Sequence, residues 1–189
     1  MRALYLTGIL AFLADQVSKY AVVHGMGLAQ RHAIDVFPPV LNFRYGENTG
    51  INFGLFEGQT DLARWILILL SLAICAAVLI WVRRAGSGIR LQIGAGLLIG
   101  GALGNVFDRL AYGYVLDFLN MSCCGIANPF VFNLADVFIF LGAAALILFD
   151  GAAGRGGRAD SARGPGGTRA PGGKGGQGGK GGRKGRAGR

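Results

Sequence analysis

IGAGLLIGGALGNVFDRLAYGYVLDF, residues 93 to 118, changes character halfway along. Up to Gly104 it is as apolar as a membrane helix. Asn105, Asp108, Arg109 and Asp117 then follow within thirteen positions. An ionised side chain near hydrocarbon costs several kcal/mol or more, so charged groups placed there generally line a cavity or a pathway. The stretch reads as a membrane helix that carries polar groups to one end.

The rest of the chain supports a bilayer setting. Of its 189 residues 52% are hydrophobic and only 15% are charged, and mean hydropathy is positive at +0.45. Four apolar stretches, about 3–23, 62–82, 91–110 and 133–149, each have roughly the 17–25 residues that cross ~30 Å of hydrocarbon. The first could be a signal peptide, but no small-x-small cleavage signal closes its core; DQVSKY does. The expected fold class is therefore an all-α membrane protein with four transmembrane helices, filling residues 1–150. Arg2, the Arg83/Arg84/Arg90 loop and the basic C-terminal tail fall on one side of such a bundle. The positive-inside rule makes that side cytoplasmic, with both termini there and segments 24–61 and 111–132 outside.

The formal net charge of +9 belongs entirely to the tail. Residues 1–150 balance nine Lys/Arg against nine Asp/Glu, whereas 151–189 hold ten Lys/Arg and only Asp160. That Gly-rich tail cannot bury enough apolar surface to offset its ordering entropy and is expected to be disordered. It lacks the aromatic residues that stack on bases, so no nucleic-acid partner is expected and anionic membrane lipid is the natural neighbour. Cys75 reads as a packing residue in an apolar span. Cys123 and Cys124 are adjacent, which fits neither a redox pair nor zinc ligation. His24 and His32 have no partners at metal-binding spacing, so no metal is expected.

The segment VFPPVLNFRYGENTGINFGLF, residues 36–56, alternates apolar and polar positions around Phe43, Tyr45, Ile51 and Phe53. Turn chemistry at Gly46 and at Asn48-Thr49-Gly50 predicts short strands with a tight connection, a small extracytoplasmic β-rich segment between the first two helices. Phe37, Phe43, Phe53 and Phe56 suit a headgroup-level position. In the third span Gly96, Gly100 and Gly104 recur every fourth residue, a smooth stripe that lets another helix approach.

Topology brings the acids together. The first and third helices run outward, so Asp15, Lys19, Asn105, Asp108 and Arg109 lie toward the outer end, with Asp117 in the loop beyond. The fourth runs inward, and Asp136 lies ~5 Å inside its start at 1.5 Å per residue. Each group alone has a plain structural use. Asp15 and Lys19 have the i,i+4 spacing of a local ion pair. Asn105, Asp108 and Arg109 share a helical face, and Asn133 or Asp136 could cap a helix. Four acids from separate stretches at one level point instead to a built polar site. Without a Ser-His pairing or a His cluster, the chemistry open to it is acid–base work by paired carboxylates. A small transporter or proton-relay protein is the alternative, but it would spread polar groups through the bilayer depth.

DQVSK (15–19), NTGINFG (48–54), GGALGNVFDRLAYGYVLDF (100–118) and FNLADVFIFLG (132–142) resemble, in order, the four motif blocks of lipoprotein signal peptidase, or signal peptidase II. The resemblance spans essentially residues 1–150. It implies an intramembrane aspartic endopeptidase of the bacterial inner membrane, needing no cofactor and acting near the outer leaflet; a monomer is expected because all four acids lie in one chain. Its substrates would be prolipoproteins, cut immediately before a diacylglyceryl-modified cysteine. Carried over by position, Asp117 and Asp136 would be catalytic. Asn48, Gly50, Asn105, Asp108, Arg109 and Asn133 would bind substrate or support the site, although position alone makes Asp108 a rival to Asp117. Asp15 and Lys19 would form a structural pair. Asn52 departs from the family, which usually has a small apolar residue there.

Overall fold

The computed structural model describes residues 1–50, 60–85, 88–122 and 128–160, with the side chains of Thr60 and of 150–160 left aside. Asn52, Phe53, Phe56, Cys123 and Cys124 lie outside the described residues, as does the tail from 161. Helix α1 (Arg2–Lys19) continues as a π-helical turn, Tyr20–Gly25. A single turn, α2 (Leu28–Arg31), lies between Gly27 and His32, both at positive φ. Helices α3 (Thr60–Arg84), α4 (Ile89–Ala111) and α5 (Leu134–Asp160) complete the helical part. Among the described residues three stretches are long and apolar enough to cross a membrane: Arg2–Gly25, Asp61–Arg84 and Ile89–Ala111. The apolar part of α5, Leu134–Phe149, is shorter. Large apolar side chains such as Leu69 and Ile147 point outward, 64% and 77% exposed, as they do when the surroundings are hydrocarbon rather than water.

Helix α4 is the centre of the bundle, packed on α1, α5 and α3. Its glycine stripe faces α1. A Cβ at Gly96 would lie 2.6 Å from the Leu4 carbonyl, and one at Gly104 2.7 Å from Asp15 Oδ2. Real Cβ atoms essentially never come that close, so at Gly96 the two backbones, and at Gly104 the Asp15 carboxylate and the α4 backbone, approach to a distance only glycine permits. Leu4, Val82, Leu91, Ala95, Leu98 and Leu146 fill the core at the end where α4 begins.

At the opposite end lies a three-stranded antiparallel sheet of order β1-β2-β3: β1 (Ala33–Phe37), β2 (Leu41–Asn48) and β3 (Val115–Asn120). Its packed face rests on Val22, Val23 and Leu28 through Leu116 and Phe118. The sheet corrects three sequence expectations. It is not confined to the connection between the first two long helices, since β3 follows α4 and turns the expected Asp117 loop into a strand. The tight turn falls at 38–40, where Pro38 and Pro39 fix φ and withdraw ladder donors, rather than at Gly46. Gly46 lies inside β2, paired with Asp117. Helix α5 also runs on to Asp160, past the expected boundary at 149. No proline interrupts 150–160, and extending an existing helix adds one hydrogen bond per residue fixed.

Candidate active site

The first turn of α5 organises the site. Asn133 accepts from the Asp136 backbone N–H through Oδ1 (3.0 Å), and Asp136 Oδ2 accepts from the Asn133 N–H (3.3 Å). This reciprocal arrangement is a capping box built from Asn and Asp, satisfying two orphan donors of the helix start. It also fixes the Asn133 side-chain amide so that its Nδ2 donates to Asp117 Oδ1 at 2.6 Å. The other oxygen of Asp117 accepts from Asn48 Nδ2 (3.0 Å), at the end of β2. Asp136 Oδ1 accepts from Asn105 Nδ2 (3.0 Å), on the last turns of α4. Thus β3 brings Asp117 and α5 brings Asp136 to the two sides of Asn133, and every amide of the sequence-predicted set joins them.

Asp117 is 3% exposed. Burial pushes its carboxyl up from 3.8 to about 6; the neighbouring Asp136 charge adds to this, and the Asn48 and Asn133 hydrogen bonds oppose it. A carboxyl in that range exchanges its proton near neutral pH. Arg109 donates to the Asn105 carbonyl (3.3 Å) and lies within the electrostatic reach of Asp136, Asp108 and Asp117. Gly50, at φ +95°, sits where a Cβ would be 3.7 Å from Arg109 Nη2, so the chain turns beside the guanidinium in a conformation suited to glycine.

Behind this layer is a second, fully enclosed one. Lys19 Nζ bridges Asp15 Oδ2 (2.8 Å) and Asp108 Oδ2 (2.7 Å), all three groups being at most 3% exposed. The expected Asp15–Lys19 pair is therefore a triad spanning α1 and α4. Gln16, which sequence reading passed over, donates to Asp15 Oδ2 (3.1 Å) and Asp108 Oδ1 (3.0 Å). Its position beside Asp15 in an otherwise apolar helix was the available signal. Each buried acid also holds a backbone N–H one residue before an acid of the outer layer. Asp108 Oδ2 accepts from Leu116 (3.1 Å), and Asp15 Oδ1 from Ala135 (2.9 Å). With its oxygens so engaged, Asp108 has the surroundings of a support rather than of a rival to Asp117. Among the described residues no group of three or more His, Cys, Asp or Glu could hold a metal ion.

Residues 7–150 match the family described as Signal peptidase (SPase) II. The lipoprotein signal peptidase of Rhodopseudomonas palustris is 41% identical over 145 residues, covering 75% of this chain and 87% of that protein. That of Methylorubrum extorquens is 40% identical over 146 residues, covering 75% and 84%. Among solved structures, a bacterial membrane enzyme determined by the in meso method at 1.9 Å superposes with a TM-score of 0.67 at 26% identity, covering 78% of this chain and 92% of that one. A family match over nearly the whole helical part, with relatives of this identity and coverage, leaves one conclusion: the chain belongs to the signal peptidase II family.

Proposed function

We propose that the chain removes signal peptides from prolipoproteins by cutting immediately before a diacylglyceryl-modified cysteine, with Asp117 and Asp136 as the catalytic pair. The observation that carries this reading is Asn133, whose side chain and backbone engage both carboxyl groups at once. Two acids held against one amide, in a setting that raises Asp117 to about 6, can share a proton at neutral pH.

In the reaction one carboxyl is ionised and the other protonated. The ionised group takes a proton from water as the water oxygen adds to the scissile carbonyl carbon. The protonated group donates to the carbonyl oxygen, stabilising the charge that develops there. The C–N bond then breaks as a proton passes to the leaving nitrogen. The products are a signal peptide with a new carboxylate and a lipoprotein whose cysteine has a free amine. Asn48, Asn105 and Asn133 keep the two carboxyls in place, and Arg109 beside Gly50 offers donors to substrate carbonyls. Four helices cross the inner membrane with both termini cytoplasmic, placing the sheet and the pair at the outer face. All the groups named lie in one chain, and the working unit is a monomer.

The test is cleavage of a diacylglyceryl-modified prolipopeptide by purified protein. Wild type is expected to cleave it, and the Asp117→Asn and Asp136→Asn variants are not. A folded wild type that leaves the lipid-modified peptide intact contradicts the reading.

A further inference from the structure

A cavity of about 420 Å³ opens on the face of the sheet that carries Asp117, within the ~300–1,000 Å³ of ordinary binding clefts. Gly46 and Asp117, paired across β2 and β3, line it together with Asn48, Gly50, Phe130 and Val131. No described lining residue comes from a helix, and the cavity lies on the face opposite the one on which Tyr45, Leu116 and Phe118 pack. We infer that this groove takes the residues that directly follow the lipidated cysteine of the substrate, and that Gly46 sets how large the first of them can be. The inference rests on the peptidase reading above and deepens it.

The assignment of that side of the cut follows from chemistry. A signal peptide is apolar and stays among the helices, whereas the chain after the cysteine is extracytoplasmic and needs a path off the helical bundle. A groove lined by Asp117, whose described lining comes from sheet and connection, is such a path. Gly46 supplies the second observation. Its φ lies outside the left-handed region, since the glycines with positive φ are Gly27, Gly50 and Gly113. A Cβ there would make ordinary contacts, 3.5 Å from the Cβ atoms of Asp117 and Val131. Neither backbone nor packing requires glycine, and glycine weakens a strand interior. What glycine does provide is open space beside Asp117, room for a substrate side chain or backbone. Phe130, 75% exposed, also lines the cavity and offers a ring for such a residue to pack on.

The experiment compares two diacylglyceryl-modified prolipopeptides that differ only in having Gly or Phe directly after the cysteine, and reads the ratio of their kcat/KM values. Wild-type cleavage of the peptides tests the peptidase reading itself; the ratio tests the groove. In Gly46→Val the ratio is expected to move at least tenfold against the Phe peptide, mainly through KM. Gly46→Ala, whose Cβ the structure accommodates, moves it the same way by a smaller factor, and serves alone if the valine variant does not fold. Phe130→Ala moves the ratio severalfold by removing the ring that the larger side chain packs on. Ratios unchanged in Gly46→Ala and Phe130→Ala overturn the proposal. So does a size effect that follows the residue before the cysteine instead.

Discussion

Two pairs of aspartates lie one behind the other in this molecule, and they are held by opposite means. Asp15 and Asp108 share the ammonium of Lys19 and are sealed from solvent. Asp117 and Asp136 are held by the neutral amides of Asn48, Asn105 and Asn133. A cation shared by two carboxylates ties α1 to α4 through two short ion pairs. Amide donors fix geometry while leaving a proton free to come and go, and burial raises Asp117 to about 6. In the proposed reaction the same residue type is thus a strut in one layer and the acid–base pair in the other. The struts are not idle, because each holds the backbone one residue before a member of the outer pair.

The largest expected effects break the outer pair. Asp136→Asn and Asp117→Asn should each lower the cleavage rate by at least ~10²–10⁴-fold, read as turnover of a prolipopeptide, with the helical circular dichroism signal retained. Breaking the inner layer should strike stability instead. Lys19→Met leaves two buried carboxylates without their cation, a loss of ~3–5 kcal/mol that appears as a lower melting temperature in detergent.

The pH dependence sharpens the contrast. The Asp117 carboxyl titrates higher in the folded chain, about 6, than its ordinary 3.8. The contribution of this group to stability is therefore fully present below 3.8 and lost as pH rises through about 6. Asp117→Asn should be more stable than wild type at pH 8, by up to ~3 kcal/mol, with the difference vanishing near pH 4. Melting curves across that range check it. Gly104→Ala, which pushes a methyl into Asp15 Oδ2, should cost ~1–3 kcal/mol and slow cleavage by displacing the start of α5. The smallest effect is expected for Asn48→Ala. Losing one of two donors to ionised Asp117 should move its titration above 6 and lower the rate about tenfold, seen as a shifted pH–rate profile.

Hydropathy shows the helical stretches because about twenty predominantly apolar residues leave few other readings, and the stripe at Gly96, Gly100 and Gly104 is visible as spacing alone. Helix direction was enough to bring Asp15, Asp108, Asp117 and Asp136 to one end. Strand β3 escaped because VLDFLN is buried on both faces apart from Leu119, so it shows no alternation. Gly46 reads as a turn because glycine in a sequence marks either a turn or a close approach, and its pairing with Asp117 across strands is a long-range fact. The Lys19–Asp108 ion pair joins residues 89 positions apart, and local spacing could suggest only the i,i+4 half of the triad.

The central claim is that the amide-held pair performs the chemistry while the lysine-held pair supports it. Its most direct test measures cleavage and melting temperature together, on one preparation of Asp117→Asn at pH 8. The account predicts a protein that cleaves nothing detectable yet melts no lower than wild type. An Asp117→Asn variant that cleaves at close to the wild-type rate would contradict it.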